Sequence, residues 1–307
     1  MQNKNQNSQN GRFNAYQNCR LCPRACGVNR YEKTGFCGAG AQMQISRIAP
    51  HFGEEPVISG KNGSGTVFFC HCSLGCVYCQ NFKISGRAAQ GLQFTPQQLS
   101  QSLLRLQQAG VHNINLVTAT HYAPGVAKAL KLAKANGLNL PVVYNCGGFE
   151  GLESLQLLNG LVDVYLPDLK YFSPSLSKTL SATEDYFDAA AAAINEMVRR
   201  QPQPEFNKDG LLCKGVLIRH LVLPGQVQNA KQVLRAIYKR WGSSVPVSLM
   251  RQYTPAVPNL PQPLDRTVTP AEYNEVLAEF NALGLWGFSQ QEQSAGEGEI
   301  PVWNRYL

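Results

Sequence analysis

The chain has 307 residues, 44% of them hydrophobic and 16% charged. That is enough apolar material to bury a sizeable core, and it argues against disorder over the whole length. The 27 glycines and 18 prolines are too few for a collagen-like or low-complexity chain, and no run approaches the 18 consecutive apolar residues of a membrane-spanning helix. The net charge of +8 favours an anionic ligand or partner, but no block of five Lys or Arg occurs, so nucleic-acid binding is not expected.

In chain order, residues 1–15 read as a polar, flexible lead. The first 18 residues are rich in Gln and Asn and lack the apolar core of a secretory signal, so a cytoplasmic protein is expected. Residues 16–64 read as an irregular Cys-rich extension punctuated by Gly27, Gly35, Gly38, Gly40 and Gly53. The chain carries ten cysteines: four between 19 and 37, four between 70 and 79, and Cys146 and Cys213 alone. In a reducing compartment such clustering indicates metal ligation rather than disulfides. Cys19, Cys22, Cys26 and Cys37 suffice for one closed site, a structural zinc or an auxiliary iron–sulfur cluster.

From Gly65 the pattern changes. Short apolar runs at 66–70, 114–118, 141–145, 162–166, 212–221 and 245–250 have the length and composition of strands. Helical stretches follow each of them. Thr95-Pro96-Gln97-Gln98 and Thr269-Pro270-Ala271-Glu272 carry an N-cap, a proline at the first helical position and a reciprocal Gln or Glu. Further helices are expected at 124–136, 150–159, 184–200 and 227–241, most of them closing at a glycine. Six alternating strand–helix units favour parallel pairing with right-handed crossovers. Six are short of the eight that close a barrel. The expected fold is therefore α/β, an open, partial (β/α)6 TIM-like barrel over 65–285, followed by a C-terminal tail at 286–307. A doubly wound open sheet is the alternative. In both, chemistry belongs at the C-terminal ends of the strands.

Directly after the first of these strands stands Cys70-His71-Cys72-Ser73-Leu74-Gly75-Cys76-Val77-Tyr78-Cys79-Gln80-Asn81. Cys72, Cys76 and Cys79 have the spacing C-x3-C-x2-C. Three thiolates on one short loop can hold three irons of a [4Fe–4S] cube and leave the fourth open to a substrate. A zinc site takes paired C-x2-C units with four closed ligands, and a bacterial ferredoxin takes a fourth cysteine; neither pattern is present in this loop. Cys70, on the strand, points away from Cys72 by alternation and is read as a buried free thiol. Cys146 and Cys213 are read as inert core or strand cysteines.

This motif resembles that of the radical S-adenosylmethionine (SAM) superfamily. Gly65-Thr66-Val67-Phe68-Phe69 before it, Cys19-Arg20-Leu21-Cys22-Pro23-Arg24-Ala25-Cys26, Thr120-His121-Tyr122, Arg219-His220-Leu221-Val222-Leu223-Pro224-Gly225 and Gln252-Tyr253-Thr254-Pro255 resemble its pyruvate formate-lyase-activating-enzyme-like branch. The resemblance implies a [4Fe–4S] cluster on Cys72, Cys76 and Cys79 and SAM chelated to the open iron. It also implies an external electron donor of flavodoxin or ferredoxin type, and cleavage of SAM to methionine and a 5′-deoxyadenosyl radical that abstracts hydrogen. It places Tyr78 and the Gly147-Gly148 segment at SAM, the latter at its amino group. Established auxiliary clusters in the family follow the SAM motif, whereas the second cysteine set here precedes it, so that metal stays open between iron–sulfur and zinc.

Each supporting residue has a plainer reading. Gly147 and Gly148 also suit a strand-to-helix turn. Asp168 can accept hydrogen bonds from a ribose, or form a turn beside a solvated Lys170. Asp163 is read as structural. Arg219 on a buried strand needs an acidic partner or a ligand, for which a SAM carboxylate is one candidate. His220 reads as a core histidine, His121 as a loop or substrate-contacting residue, and Gln252 and Tyr253 as parts of the barrel mouth. For function, the leading expectation is a radical SAM enzyme resembling activators of glycyl-radical enzymes and acting on a partner protein, with a small molecule or peptide equally admissible. A non-catalytic iron–sulfur electron carrier and a zinc-stabilised scaffold are the competing classes.

Overall fold

The structure is a computed structural model and describes residues 13–290 and 303–307. Most of the expected polar lead (1–12) and part of the expected tail (291–302) lie outside the described residues. Twelve strands and nine helices occur among the described residues. The strands are β1 (Met43–His51), β2 (Ser64–Phe69), β3 (Leu92–Phe94), β4 (Ile114–Val117), β5 (Val142–Cys146), β6 (Val164–Pro167), β7 (Glu205–Phe206), β8 (Leu212–Val216), β9 (Ile218–Leu221), β10 (Val247–Met250), β11 (Gly287–Ser289) and β12 (Arg305–Tyr306). The helices are α1 (Pro56–Ser59), α2 (Phe82–Ser85), α3 (Pro96–Gln108), α4 (Ala123–Ala135), α5 (Leu152–Leu157), α6 (Pro174–Ser181), α7 (Tyr186–Arg200), α8 (Val227–Trp241) and α9 (Pro270–Ala282).

β2, β4, β5, β6 and β8 pair in parallel, in chain order, and β9 pairs in parallel with β10. β8 and β9 are the two halves of the expected 212–221 strand. Leu217 between them still donates to the Tyr165 carbonyl (2.9 Å), and Asp168 bridges Arg219 in parallel. The result is a continuous arc of six parallel strands, the open (β/α)6 barrel expected from the alternation. It does not close. β2 has β1 antiparallel on its outer side, and β10 has the short β11 in parallel on its own.

The period-2 geometry of the strands sorts their side chains. Helix-facing residues such as Ile114, Leu116, Tyr144 and Leu249 meet Leu99, Leu103, Val126, Leu130 and Leu234 in the main core. Val143, Val164, Leu166 and Leu217 form a second cluster with Ile58 of α1. Continuing along the same alternate positions toward the strand C-termini gives Asn145, Gly147, Asp168, Lys170, Arg219 and Leu221, all of which line one cavity. On the β5, β6 and β8 side the lower lumen is thus packed with aliphatics, Thr66 and Asn115 sharing that layer from β2 and β4, and the upper lumen is polar.

Both predicted capping boxes are present, Thr95 with Gln98 and Thr269 with Glu272. The 16–64 extension, expected to be irregular, contains the nine-residue strand β1. Its period is obscured in the sequence by Arg47 and by Pro50, which sits near the end of the strand. α6 also escaped the sequence reading: it has only eight residues, although Ser173 caps it and Pro174 opens it. Phe13–Tyr16 is an ordered turn with Tyr16 fully buried. Residues 287–289 and 305–306, within the expected tail, add strands to β10 and β1.

Candidate active site

The loop after β2 carries Cys72, Cys76 and Cys79 to the cavity mouth, and all three line the cavity. Each sulfur receives a hydrogen bond from the protein. The Leu74 amide donates to Cys72 Sγ (3.4 Å), Ser181 Oγ to Cys76 Sγ (3.1 Å) and Ser85 Oγ to Cys79 Sγ (3.4 Å). The Tyr171 hydroxyl lies 3.8 Å from Cys76 Sγ and shares hydrogen bonds of 2.8 Å with Tyr78 and Ser181. Burial, reinforced by Cys76 and Cys79, pushes the Cys72 thiol up to about 12; burial and Cys76 raise Cys79. Desolvated neighbouring thiols ionise only beside a compensating cation, which is what a bound metal provides. Donors aimed at thiolate sulfur stabilise the ligated form further.

All ten cysteines are free of disulfides. Among the described residues no group of three or more His, Cys, Asp or Glu is placed to hold a metal ion. For Cys72, Cys76 and Cys79 the fit to a cubane rests instead on three sulfurs that share one cavity and each accept a protein hydrogen bond. The three residues fit such a cluster.

The opposite wall is a buried charge network. Arg219 Nε donates to Asp168 Oδ1 (2.9 Å), its Nη2 to Asn145 Oδ1 (2.6 Å) and its Nη1 to Glu54 Oε2 (3.3 Å). Glu55 lies 4.0 Å from the same guanidinium. Lys170 Nζ holds the second Asp168 oxygen at 2.5 Å. Burial pushes the Asp168 carboxyl up, but Arg219 and Lys170 outweigh it and hold the group below its ordinary value. Burial raises Glu54 and Glu55, with Arg219 opposing. Asp168 is therefore the anion at neutral pH, and Lys170 is not the solvated side chain of the plainer reading. Glu54 lines the cavity from the β1–α1 connection. Nothing in the sequence marked Glu54, since its role comes from the chain reversing under the barrel rather than from a motif.

Gly147 lines the cavity, and a Cβ there would make ordinary contact with Leu74 and Lys170. Gly148 is not among the lining residues. Its φ is +78°, and a Cβ would stand 2.1 Å from the Asp168 carbonyl oxygen. Only glycine lets the two strand ends approach so closely. The Tyr186 hydroxyl fastens them by donating toward the Gly147 and Asp168 carbonyls and accepting from the Lys170 amide, each at 2.9 Å. Glu150, also unmarked in the sequence, is buried and accepts from Thr120 (2.7 Å) and Tyr144 (2.6 Å).

Tyr78, Gln252 and Tyr253 line the cavity as expected of the barrel mouth; Cys146, read as a core or strand cysteine, is buried at the end of β5 and also borders the cavity. His121 and His220 are core residues bonded to the Cys70 and Leu169 carbonyls; burial lowers them to about 3 and about 4. The Val142 amide donates to Asp163, a structural role. Cys70 is fully buried. The N-terminal thiols gather. Burial, with Cys37 and Cys19 adding, raises Cys22 to about 12, and a Cβ on Gly35 would lie 3.5 Å from both Cys26 Sγ and Cys37 Sγ. They do not close into the shell of a single ion.

No protein-family profile matches the chain. Over 251 residues it is 30% identical to the uncharacterized protein MJ0674 of Methanocaldococcus jannaschii, covering 79% of this chain and 68% of that protein. Among solved structures it resembles the FeFe-hydrogenase maturase HydG from Carboxydothermus hydrogenoformans, with a TM-score of 0.50 and 13% identity. That match covers 76% of this chain and 55% of the maturase, so the chain spans little more than half of HydG, and the likeness is one of fold. A domain of pyruvate-formate lyase-activating enzyme from Bacteroides vulgatus matches more loosely, with a TM-score of 0.41 and 12% identity, over 55% of this chain and 92% of the domain.

Proposed function

The chain belongs to the same family as protein MJ0674 and has the open-barrel fold of the radical SAM proteins; from that premise we propose that it is an iron–sulfur enzyme that cleaves SAM reductively. One observation carries this reading: three cysteines on one loop, each bonded at sulfur by the protein, face the same cavity as Gly147, Asp168, Lys170 and Arg219. When bound, a [4Fe–4S] cluster held by Cys72, Cys76 and Cys79 would supply the electron for reductive cleavage of SAM and so the radical chemistry that abstracts hydrogen.

The protein's own residues do the rest. Lys170 and Arg219 offer cationic N–H groups to a carboxylate, and Asp168, kept ionised between them, is an acceptor for ribose hydroxyls. Gly147 leaves room at the wall, and Tyr78, braced on Tyr171, packs edge-on to Tyr253 with ring centroids 6.0 Å apart. Leu74, Leu221 and Met250 add apolar side chains to the lining of the same cavity. We assign the electron to a flavodoxin- or ferredoxin-type donor. We assign the abstracted hydrogen to a glycine Cα of a partner polypeptide, a reading supported by the motif resemblance and by the +8 charge, which suits an acidic protein. On the same proposal Cys19, Cys22, Cys26 and Cys37, gathered but not closed around a single ion, would form a second metal-binding unit only once the metal binds.

The test is anaerobic reconstitution with iron and sulfide, followed by SAM and dithionite. The wild type is expected to release 5′-deoxyadenosine and a Cys76→Ala variant to release none; equal product from both overturns the proposal. Mass spectrometry of co-purifying polypeptides for a glycyl modification, against small-molecule turnover, decides the substrate class.

A further inference from the structure

We propose that Arg24 is a positioning residue that locks the Cys72–Cys79 loop onto the end of α6 and tunes the reduction potential of the cluster held there; this rests on the iron–sulfur reading above. Arg24 stands between Cys22 and Cys26, so the N-terminal extension sets its place. Its guanidinium reaches four backbone carbonyls. Nε donates to Ser73 (3.1 Å), Nη2 to Leu74 (3.3 Å) and Ser181 (2.8 Å), and Nη1 to Ala182 (2.5 Å). Two of these belong to the cysteine loop and two to the C-terminus of α6. The guanidinium also stacks on Phe36, 4.0 Å from the ring centroid, and lies 5.5 Å from the Phe149 centroid. Phe36 adjoins Cys37, and Phe149 follows the Gly147-Gly148 pair, so one side chain ties together the extension, the cysteine loop and the glycine segment.

The electrostatic argument follows from where α6 points. The last carbonyls of a helix lack intrahelical partners and carry partial negative charge. This helix end is held against Cys76: Ser181 Oγ bonds the sulfur, and the Val77 amide donates to the Leu180 carbonyl (2.9 Å). A negative helix end beside a cluster opposes the arrival of an electron. Arg24 covers the Ser181 and Ala182 carbonyls with a full positive charge, which interacts with Cys72 and Cys76 as well. Its presence favours the reduced cluster, and its loss makes reduction harder.

The experiment is an EPR-monitored redox titration of the full-length, anaerobically reconstituted protein, with iron content measured for each variant. Absence of a cluster from the wild type defeats the iron–sulfur reading itself, before any variant is considered. With the cluster present, Arg24→Gln is expected to shift the midpoint to more negative potential, while Arg24→Lys, which keeps the charge, stays close to the wild type. An unchanged midpoint in Arg24→Gln, or an equal shift in both variants, overturns the proposal. If Arg24→Gln retains no iron, Phe36→Leu, which removes the platform and keeps the arginine, carries the test. A smaller negative shift is expected there, and an unchanged midpoint overturns the proposal.

Discussion

Replacing Arg219 with Met tests the charge network without invoking any cofactor. The guanidinium is the shared partner of Asp168, Glu54 and Asn145, and its side chain is 13% exposed, against 15% for Asp168 and 9% for Glu54. Methionine keeps most of the volume and removes the charge, so the perturbation is mainly electrostatic. Breaking a buried ion pair by deleting one partner costs about 3–5 kcal/mol, because the remaining charge is left desolvated. For a chain of this size that lowers the melting temperature on the order of 10 °C. The loss should also depend on pH. Glu54 and Glu55 already sit above the ordinary carboxylate value through burial, with Arg219 opposing, so without Arg219 they rise further. A carboxyl raised in the folded state stabilises the fold while protonated, and that contribution fades as pH climbs from the ordinary glutamate range through the raised value. The variant is therefore expected to lose more stability at pH 8 than at pH 5. The assay is thermal and urea denaturation of the metal-free protein at both pH values, wild type beside variant. A loss below about 1 kcal/mol, within the range of an exposed pair, or the same loss at both pH values refutes the reasoning.

Three further substitutions separate structural from ligand-facing roles at the neighbouring strand ends. Gly148→Ala forces a side chain into the left-handed region, a strain of roughly 1–2 kcal/mol, and adds a backbone clash at 2.1 Å; urea denaturation should show a loss above that strain alone, and wild-type stability would contradict it. Gly147→Ala meets only contacts of 3.6 and 3.8 Å, so its stability should stay within about 0.5 kcal/mol of the wild type while SAM affinity of the reconstituted protein, followed by equilibrium dialysis, falls. Tyr186→Phe deprives two carbonyls and the Lys170 amide of a buried hydroxyl and should cost about 1–3 kcal/mol; a neutral effect would mean that the strand ends are held by other contacts.

The two halves of the site were not equally visible in the sequence. Cys72, Cys76 and Cys79 are legible because their ligand geometry is local: eight consecutive positions on one loop decide which sulfurs can converge. Gly147, Asp168 and Arg219 were legible as strand-end residues, since period-2 alternation and the rule for α/β barrels place them at the mouth. That the acidic partner Arg219 needed is Asp168, with Lys170 closing the same pair, was not, because Asp168 and Lys170 taken alone also suit a turn beside a solvated lysine. Glu54, Glu55, Ser181 and Arg24 escaped notice. Their partners are far away in sequence, 165 positions between Arg219 and Glu54 and 157 between Arg24 and Ser181. Strand β1 escaped for a different reason: Arg47 interrupts its apolar pattern.

By itself, the amino-acid order determined the local features of this protein: the alternation of strands and helices, the capping boxes, and the three-cysteine loop after β2. These depend on side-chain periodicity and on neighbours a few bonds apart. Only the tertiary structure decided which charges meet inside the barrel, which glycine serves a close approach and which faces the cavity, and which donors aim at the sulfurs. Those contacts are made when distant strand ends are brought onto one rim, and burial there turns ordinary Asp, Glu, Lys and Arg residues into a network in which each charge depends on the others.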